Sequence, residues 1–386
     1  MKRKNGFTLV ELMIALLVLT IVMGAIVGAL VQAANVTNGV GQLANMQEDL
    51  RAGMRFMTQD LMQAGEGIPQ GGISIPNNGT NPAPIVRPGT GGGFFSATSG
   101  ALPQYLALPA VIPGYQLGQA ATGVNPVTSA VLATGAVKTD VITMLYADNI
   151  LVDSSSATSA ITLNSSPVVS ASCAGTINAT GTSATLAAGC FTMPGQPIPI
   201  QAGNLMMFSS TNGTALVYVT GVNGQTINFA AGDPAGLNGL SAATYPDGTL
   251  AALVAGGTGG ITMTRVWMVT YYMDSTTNPT RPQLVRQLNY PVLNPSQPIG
   301  ESINQLQFTY DIINSTAPAG TYPNGAGDAT TPNPTYDTPL QFRAVNIFLA
   351  GRSEYPYGGT IPPSFFYNNL ITQVCIRNLA FDNLFN

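Results

Sequence analysis

From Leu12 to Val31 the chain is apolar at almost every position, and only Thr20, Gly24 and Gly28 are not plainly hydrophobic. Twenty helical residues rise about 30 Å, the thickness of a bilayer hydrocarbon core. The pattern therefore predicts a membrane-spanning helix. Lys2, Arg3 and Lys4 precede it, and after Glu11 the next charge is Glu48. A basic flank of this kind predicts an N-terminus on the cytoplasmic side. A secretory signal would have a shorter apolar region, about 7–15 residues, ending at a small-residue cleavage site. A plain single-pass anchor accounts for the length but leaves Glu11 unexplained. An ionisable group at the edge of a spanning helix is costly and usually functional.

Beyond the apolar stretch the period of the pattern stays helical. Met46, Leu50, Met54, Met57 and Leu61 recur every three or four positions and mark one face of an amphipathic helix. Glu48, Asp49, Arg51, Arg55 and Asp60 are expected on its remaining surface, with Glu48 and Arg51 as an i,i+3 pair. Gly65, Gly67 and Pro69 should end the helix near Ala64. The polar, glycine-containing segment from Asn35 to Asn45 predicts a bend.

The pattern then becomes that of strands. Residues 66–135 are punctuated by glycine and proline and predict long loops with short strands. Strand signals follow at 141–146, 205–208, 215–220, 225–229, 261–273, 283–290, 303–313, 342–349 and 370–379. Thr211-Asn212-Gly213 and Val222-Asn223-Gly224 read as turns between them. The prediction is an α+β chain: one long N-terminal helix, spanning over 7–34 and amphipathic over 46–65, then a head of eight or more strands over 66–386.

Composition narrows the chemistry. Histidine is absent from all 386 residues, which removes Ser–His–Asp and Cys–His catalysis and His-ligated zinc. Charged residues make up 8% and the formal net charge is −4, so there is no basic excess to wrap a phosphate backbone and nucleic acid is not expected as a main partner. No Walker loop, CxxC pair, EF-hand loop or dinucleotide fingerprint occurs, so neither an enzyme nor a cofactor is expected. Gly256-Gly257-Thr258-Gly259-Gly260 lacks the lysine of a phosphate loop and reads as a turn. The spacing of Asp148/Asp153 and Asp233/Asp247 does not require a metal. Trp267 is expected in the core, and Tyr355 and Tyr357 in a loop. Cys173 and Cys190 lie close together among small polar residues and suit a disulfide in an oxidising compartment, worth about 3 kcal/mol in the chain-entropy account. Cys375, in an apolar run, is expected to be a buried free thiol.

One contiguous motif accounts for both the glycine before the apolar stretch and the acid at its start. Gly6-Phe7-Thr8-Leu9-Val10-Glu11 resembles the class III signal of type IV pilins and type II secretion pseudopilins. That resemblance implies a leader over 1–6, prepilin-peptidase cleavage between Gly6 and Phe7, N-methylation of Phe7, and an assembly carboxylate at Glu11. It implies the prepilin peptidase/methyltransferase, the inner membrane, the assembly platform and other minor and major pilins as partners. The head would be periplasmic first and at the pilus or cell surface afterwards. Gly24 and Gly28 form a small-xxx-small pair that permits close helix packing, although glycine is also simply common in spanning helices.

The order of the strand runs, from Asp140-Val141-Ile142-Thr143 through Arg265–Tyr272 and Glu301–Tyr310 to Cys375–Leu379, resembles the W-type minor pilins. This implies a subunit that initiates or caps pilus assembly. Two alternatives stay open: a J-type pseudopilin of type II secretion, and a filament-borne adhesin or DNA-uptake subunit acting through the loops at 76–135 or 314–340.

Overall fold

The computed structural model describes residues 8–79, 83, 85–89, 106–119, 138–148, 161–163, 175–186, 200–256, 260–276, 281–291, 295–312, 342–354 and 365–376. Helix α1 (Leu9–Gln63) is 55 residues long, about 80 Å at 1.5 Å per residue. The bend expected between Asn35 and Asn45 is not an interruption, because the helix continues through it. The Thr37 hydroxyl folds back onto the Ala33 carbonyl at 2.9 Å. A glycine within a helix costs only about 1 kcal/mol, too little to break one this long. The end falls where glycine and proline placed it. Ala64 leaves helical geometry, and Gly65 and Gly67 take left-handed φ of 84° and 66°. The exit is then stapled to the head: Gly65 N–H donates to the Leu145 carbonyl at 2.9 Å and Ala147 N–H to the Glu66 carbonyl at 2.7 Å.

The strands run in chain order as follows. The first group is β1 (Ile73–Ser74), β2 (Ala107–Leu108), β3 (Val111–Gly114), β4 (Val141–Ala147) and β5 (Ile161–Leu163). Next are β6 (Gly175–Ile177), β7 (Ser183–Leu186), β8 (Leu205–Ser210), β9 (Gly213–Tyr218), β10 (Gly221–Asn223) and β11 (Thr226–Asn228). After a short helix α2 (Leu250–Gly256) come β12 (Ile261–Asp274), β13 (Gln283–Leu288), β14 (Gln297–Glu301), β15 (Ile303–Ile312), β16 (Phe342–Arg352) and β17 (Tyr367–Cys375).

The spine of the head is β12, fourteen residues rich in β-branched and aromatic side chains. One of its edges pairs with β8 and then β13, the other with β5 and then β4, all antiparallel. Sheet order is β14-β13-β12-β4-β3, with β9 continuing beyond β8. Alternation along β12 sends Val269, Tyr271 and Met273 into one core and Val266 and Met268 into another, so both faces of the sheet are covered. A three-stranded sheet, β15-β16-β17, and the C-terminal half of α1 build the first of these cores. A small sheet, β10-β11-β7-β6, packs with α2 on a further core around Phe208 and Phe229.

The predicted apolar face of α1 is the face that packs. Met46, Leu50, Met57 and Leu61 are buried and Met54 is half-buried against the same core. Burying each such side chain fully stabilises the fold by about 1.5–3 kcal/mol. Gly53 lets the helix sit close to the sheet: a Cβ there would fall 2.7 Å from a Leu284 methyl and 3.4 Å from one of Leu349.

Four expectations are corrected. Asp60 is 5% exposed and lies inside the packed face rather than on the polar one. Arg51 makes no ion pair among the described residues, so the Glu48–Arg51 pair is absent. Trp267 is only half-buried, while its neighbour Arg265 is wholly buried with its guanidinium 5.0 Å from the indole centroid. Cys375 is a free thiol but exposed: Val374 and Ile376 point inward, and the two-residue period of a strand turns Cys375 outward.

Candidate functional site

The N-terminal site begins at Thr8, the N-cap of α1, with φ −75° and ψ 149°. Its hydroxyl accepts from Glu11 N–H at 3.3 Å, while Glu11 Oε2 accepts from Thr8 N–H at 3.1 Å and stands 3.2 Å from the hydroxyl. This reciprocal capping box satisfies donors that a helix start leaves orphaned and puts a carboxylate at the positive end of the helix dipole. Both Thr8 contacts use Oε2; Oε1 makes no hydrogen bond among the described residues. Among the described residues Glu11 is thus held in one direction through Oε2 alone.

Behind it the helix projects alone. From Leu9 to Val31 every residue is exposed, and none of the most apolar eighteen-residue window is buried in the head. Nothing lies within 4 Å of a Cβ built at Gly24 or Gly28, so the small-residue stripe faces open space. A row of exposed leucine, isoleucine, valine and methionine along about 35 Å of rod is far more apolar surface than a soluble monomer leaves uncovered. It requires lipid or neighbouring helices. Gly6 and Phe7 lie outside the described residues, as do Cys173, Cys190, Tyr355, Tyr357, Asp153 and the segment 313–341.

The second functional element is the junction that fixes this rod to the head, and it rests on residues that the hydrophobic pattern does not single out. Asp60 on α1 receives Arg286 Nε at 2.8 Å, Arg286 Nη2 at 3.1 Å and the Tyr271 hydroxyl at 2.5 Å. The fork geometry of a guanidinium on a carboxylate makes this strong and directional. Burial works against the charge on Arg286, but the bond to Asp60 and the attraction of Asp60 outweigh it, so its guanidinium is held above the usual range. Burial, then the Asp60 charge, pushes the Tyr146 hydroxyl up to about 12 and that of Tyr271 higher still. Both phenols stay neutral: Tyr271 donates to Asp60, whereas the Tyr146 oxygen accepts from Arg286.

Further buried ionisable groups brace the head itself. Arg265 on β12 pairs with Asp148 just past β4, with Nε to Oδ2 at 2.6 Å. Arg87 donates to the Pro113 carbonyl at 2.7 Å, and burial lowers its guanidinium to about 10. Asp140 accepts Gln116 N–H and Phe308 N–H, each at 2.9 Å, which ties the entrance of β4 to β15. Burial raises its carboxyl to about 7, the two backbone amides only partly opposing it.

Asp233 and Asp247 also have structural partners. Asp233 caps the turn at 235–238 by accepting three backbone N–H groups, and Asp247 pairs with Asn77 through backbone. Among the described residues no group of three or more Cys, Asp or Glu is placed to hold a metal ion.

Residues 1–27 match the family model described as the prokaryotic N-terminal methylation motif. The comparisons with curated proteins and with solved structures each gave no match. The N-terminal segment therefore carries a prepilin-type methylation motif, which supports a type IV pilin-like protein, pilin or pseudopilin.

Proposed function

We propose that this chain is a minor type IV pilin of the W type that initiates or caps pilus assembly after prepilin-peptidase cleavage. The observation that carries the reading is Gly6-Phe7-Thr8-Leu9-Val10-Glu11 set at the start of a helix whose apolar half touches nothing in its own head. Cleavage after Gly6 would free an amine at Phe7, methylated in the mature subunit. Glu11 of an adjoining subunit would pair with that amine through Oε1 while Thr8 steadies Oε2. At an effective dielectric near 20 the attraction is about 4 kcal/mol at 4 Å, and desolvation offsets part of it. Leaving either charge alone costs more than making the pair gains, so the pair selects one helix register over others.

The bilayer stores the rod before assembly, with the head on the periplasmic side, and the growing filament replaces lipid with neighbouring stalks. The extended head, about five-sixths of the chain, would crowd a repeated lattice, which supports a low-copy position. The test is co-purification of the membrane-bound protein with its neighbours, identified by mass spectrometry. Minor and major pilins with a pilus assembly platform are the expected partners. Recovery of type II secretion components instead would replace the pilus with the pseudopilin reading, and loss of attachment without loss of filaments after deletion of 314–340 would indicate an adhesin.

A further inference from the structure

The three-stranded sheet ends on β17, and its ladder shows which way each backbone group of that strand points. Ile376 N–H donates to the Arg343 carbonyl at 3.0 Å and Ser353 N–H to the Phe366 carbonyl at 2.8 Å. These bonds bracket a register that pairs Ala344 with Cys375 and Arg352 with Tyr367. Bonded and non-bonded pairs alternate along an antiparallel ladder. Leu370, Thr372 and Val374 therefore bond to β16, while Ile371, Gln373 and Cys375 turn their N–H and C=O groups to the open edge. Asn369 turns the same way, but its N–H is taken by Asn368 Oδ1 at 2.9 Å.

Among the described residues the other edges are short, blunted or occupied. On β15, Asp140 accepts Phe308 N–H and donates its own N–H to the Leu306 carbonyl, each at 2.9 Å. On β9, Asn238 accepts Tyr218 N–H at 3.0 Å. β14 carries Pro298, Glu301 and a register shift against β13, and β3 is four residues with Pro113. By contrast β17 runs nine residues, about 30 Å, with no charge, no proline and no register shift. An edge in that state is a template for another strand, and proteins otherwise guard against it. At its middle Ile371 is 72% exposed, more than any other large apolar side chain of the described head, and it lies beside half-buried Phe348.

We propose that β17 is a docking edge that accepts one extended strand from a different, membrane-anchored polypeptide. The backbone of that strand bonds to Ile371, Gln373 and Cys375. Its chemistry follows from their side chains: uncharged, with an apolar residue against Ile371 and a hydroxyl or amide against Gln373. A second copy of this chain does not fit. Two like edges that close on each other antiparallel are related by a two-fold axis normal to the sheet. The C-terminal half of α1 packs along the face of this same sheet, so the axis would reverse one stalk against the other. A single bilayer could not hold both. The length of the edge also points to an anchored occupant. One added strand makes an interface at the small end of the range, below about 1,200 Å², and tethering in the same membrane supplies the effective concentration that a soluble strand lacks. A single strand fills the edge, so the contact joins two unlike heads and does not repeat, in keeping with a low-copy subunit. The proposal takes from the pilin-like reading only the anchored stalk.

The experiment is residue-resolved hydrogen exchange of the full chain, purified in detergent and, separately, in membranes of the cells that make it. In detergent the amides of Ile371, Gln373 and Cys375 should exchange about tenfold or more faster than those of Leu370, Thr372 and Val374. In membranes they should slow to match them. Ile371→Lys puts a charge on the edge, and Ile371→Pro removes a donor that the head itself does not use. Both should keep the urea midpoint of the detergent-purified chain and the slow exchange of Thr372 and Val374, yet lose the protection of Gln373 and Cys375 in membranes. Should the proline unfold the sheet, the lysine variant carries the test. Fast exchange of the three amides in membranes, protection already present in detergent, or protection indifferent to the variants would each overturn the docking edge. Tyr367→Cys tests for a second copy, because a two-fold at Ile371 would set it opposite Cys375. A disulfide-linked dimer that disappears with Cys375→Ser would overturn the unlike partner. The mass of the N-terminal peptide from the same membranes separates the two ideas. A methylated Phe7 terminus with fast edge amides defeats the docking edge alone, whereas an unprocessed terminus with protected edge amides keeps the edge and defeats the pilin reading.

Discussion

Asp60 brings a full carboxylate into a helix face otherwise made of Met57, Leu61 and Gly53, and only the guanidinium of Arg286 and the Tyr271 hydroxyl make that position tolerable. Removing one member of a buried pair leaves the other charge without its partner, a larger loss than removing both. Asp60→Ala is expected to lower stability by about 3 kcal/mol in urea unfolding of the full chain in detergent. Adding Arg286→Met should recover part of that loss, and a double variant worse than the sum of the two would contradict the pairing.

Asp140 makes the opposite kind of demand. Its folded carboxyl titrates near 7, above the ordinary value, so the folded state holds its proton more readily than the unfolded one. Its contribution is therefore best below about pH 4, declines as pH rises to about 7 and then levels, a span of about 4 kcal/mol. Unfolding measured from pH 4 to 8 should show this slope in the natural chain and a flatter one in Asp140→Asn.

At the scale of elements, α1 is two machines on one axis. Its C-terminal half belongs to the head's core, where Leu50→Ala is expected to cost about 2–5 kcal/mol through lost burial and a residual cavity, read by the same unfolding experiment. Its N-terminal half contributes nothing to that core. Leu50→Ala should thus leave processing of the terminus unchanged, and altered processing would indicate that the halves are coupled.

Both halves were legible in the sequence, because their periods and the glycines after Ala64 are local signals. So were β4, β8, β9, β12, β13, β15 and β16, whose runs of branched and aromatic residues lie within two or three residues of the observed ends. Less legible were β6 and β7, built largely from Ser, Thr, Ala and Gly, whose stability comes from Ile177, Leu186 and Ile227 meeting across the small sheet. α2 is seven residues long, too short for a period to declare itself. The partners of Asp60, Asp148 and Arg87 were invisible for a different reason: Arg286 is 226 residues from Asp60 and Arg265 is 117 from Asp148, and no local pattern encodes such a meeting. At the terminus the motif singles out Glu11, and Thr8-Leu9-Val10-Glu11 also has the S/T-x-x-E spacing of the capping box that the structure displays.

For the whole molecule the division of labour is mechanical. The junction at Asp60, Arg286 and Tyr271, together with the staple at Gly65 and Glu66, means that the rod cannot slide along the head without breaking buried polar contacts. Whatever holds the apolar tip therefore fixes the position of the head. Glu11→Ala should leave cleavage largely intact, because the peptidase site proposed at Gly6 and Phe7 lies before it, yet reduce recovery of the subunit in sheared filaments. Normal recovery of that variant would contradict the assigned role of the carboxylate.

The most direct measurement is the N-terminal sequence and mass of the subunit taken from the cells that make it. The expected chain begins at Phe7, carries a methyl group on its amine and retains the whole of α1 from Leu9 to Gln63. A chain that still starts at Met1, or one cut near the base of the head, would contradict it.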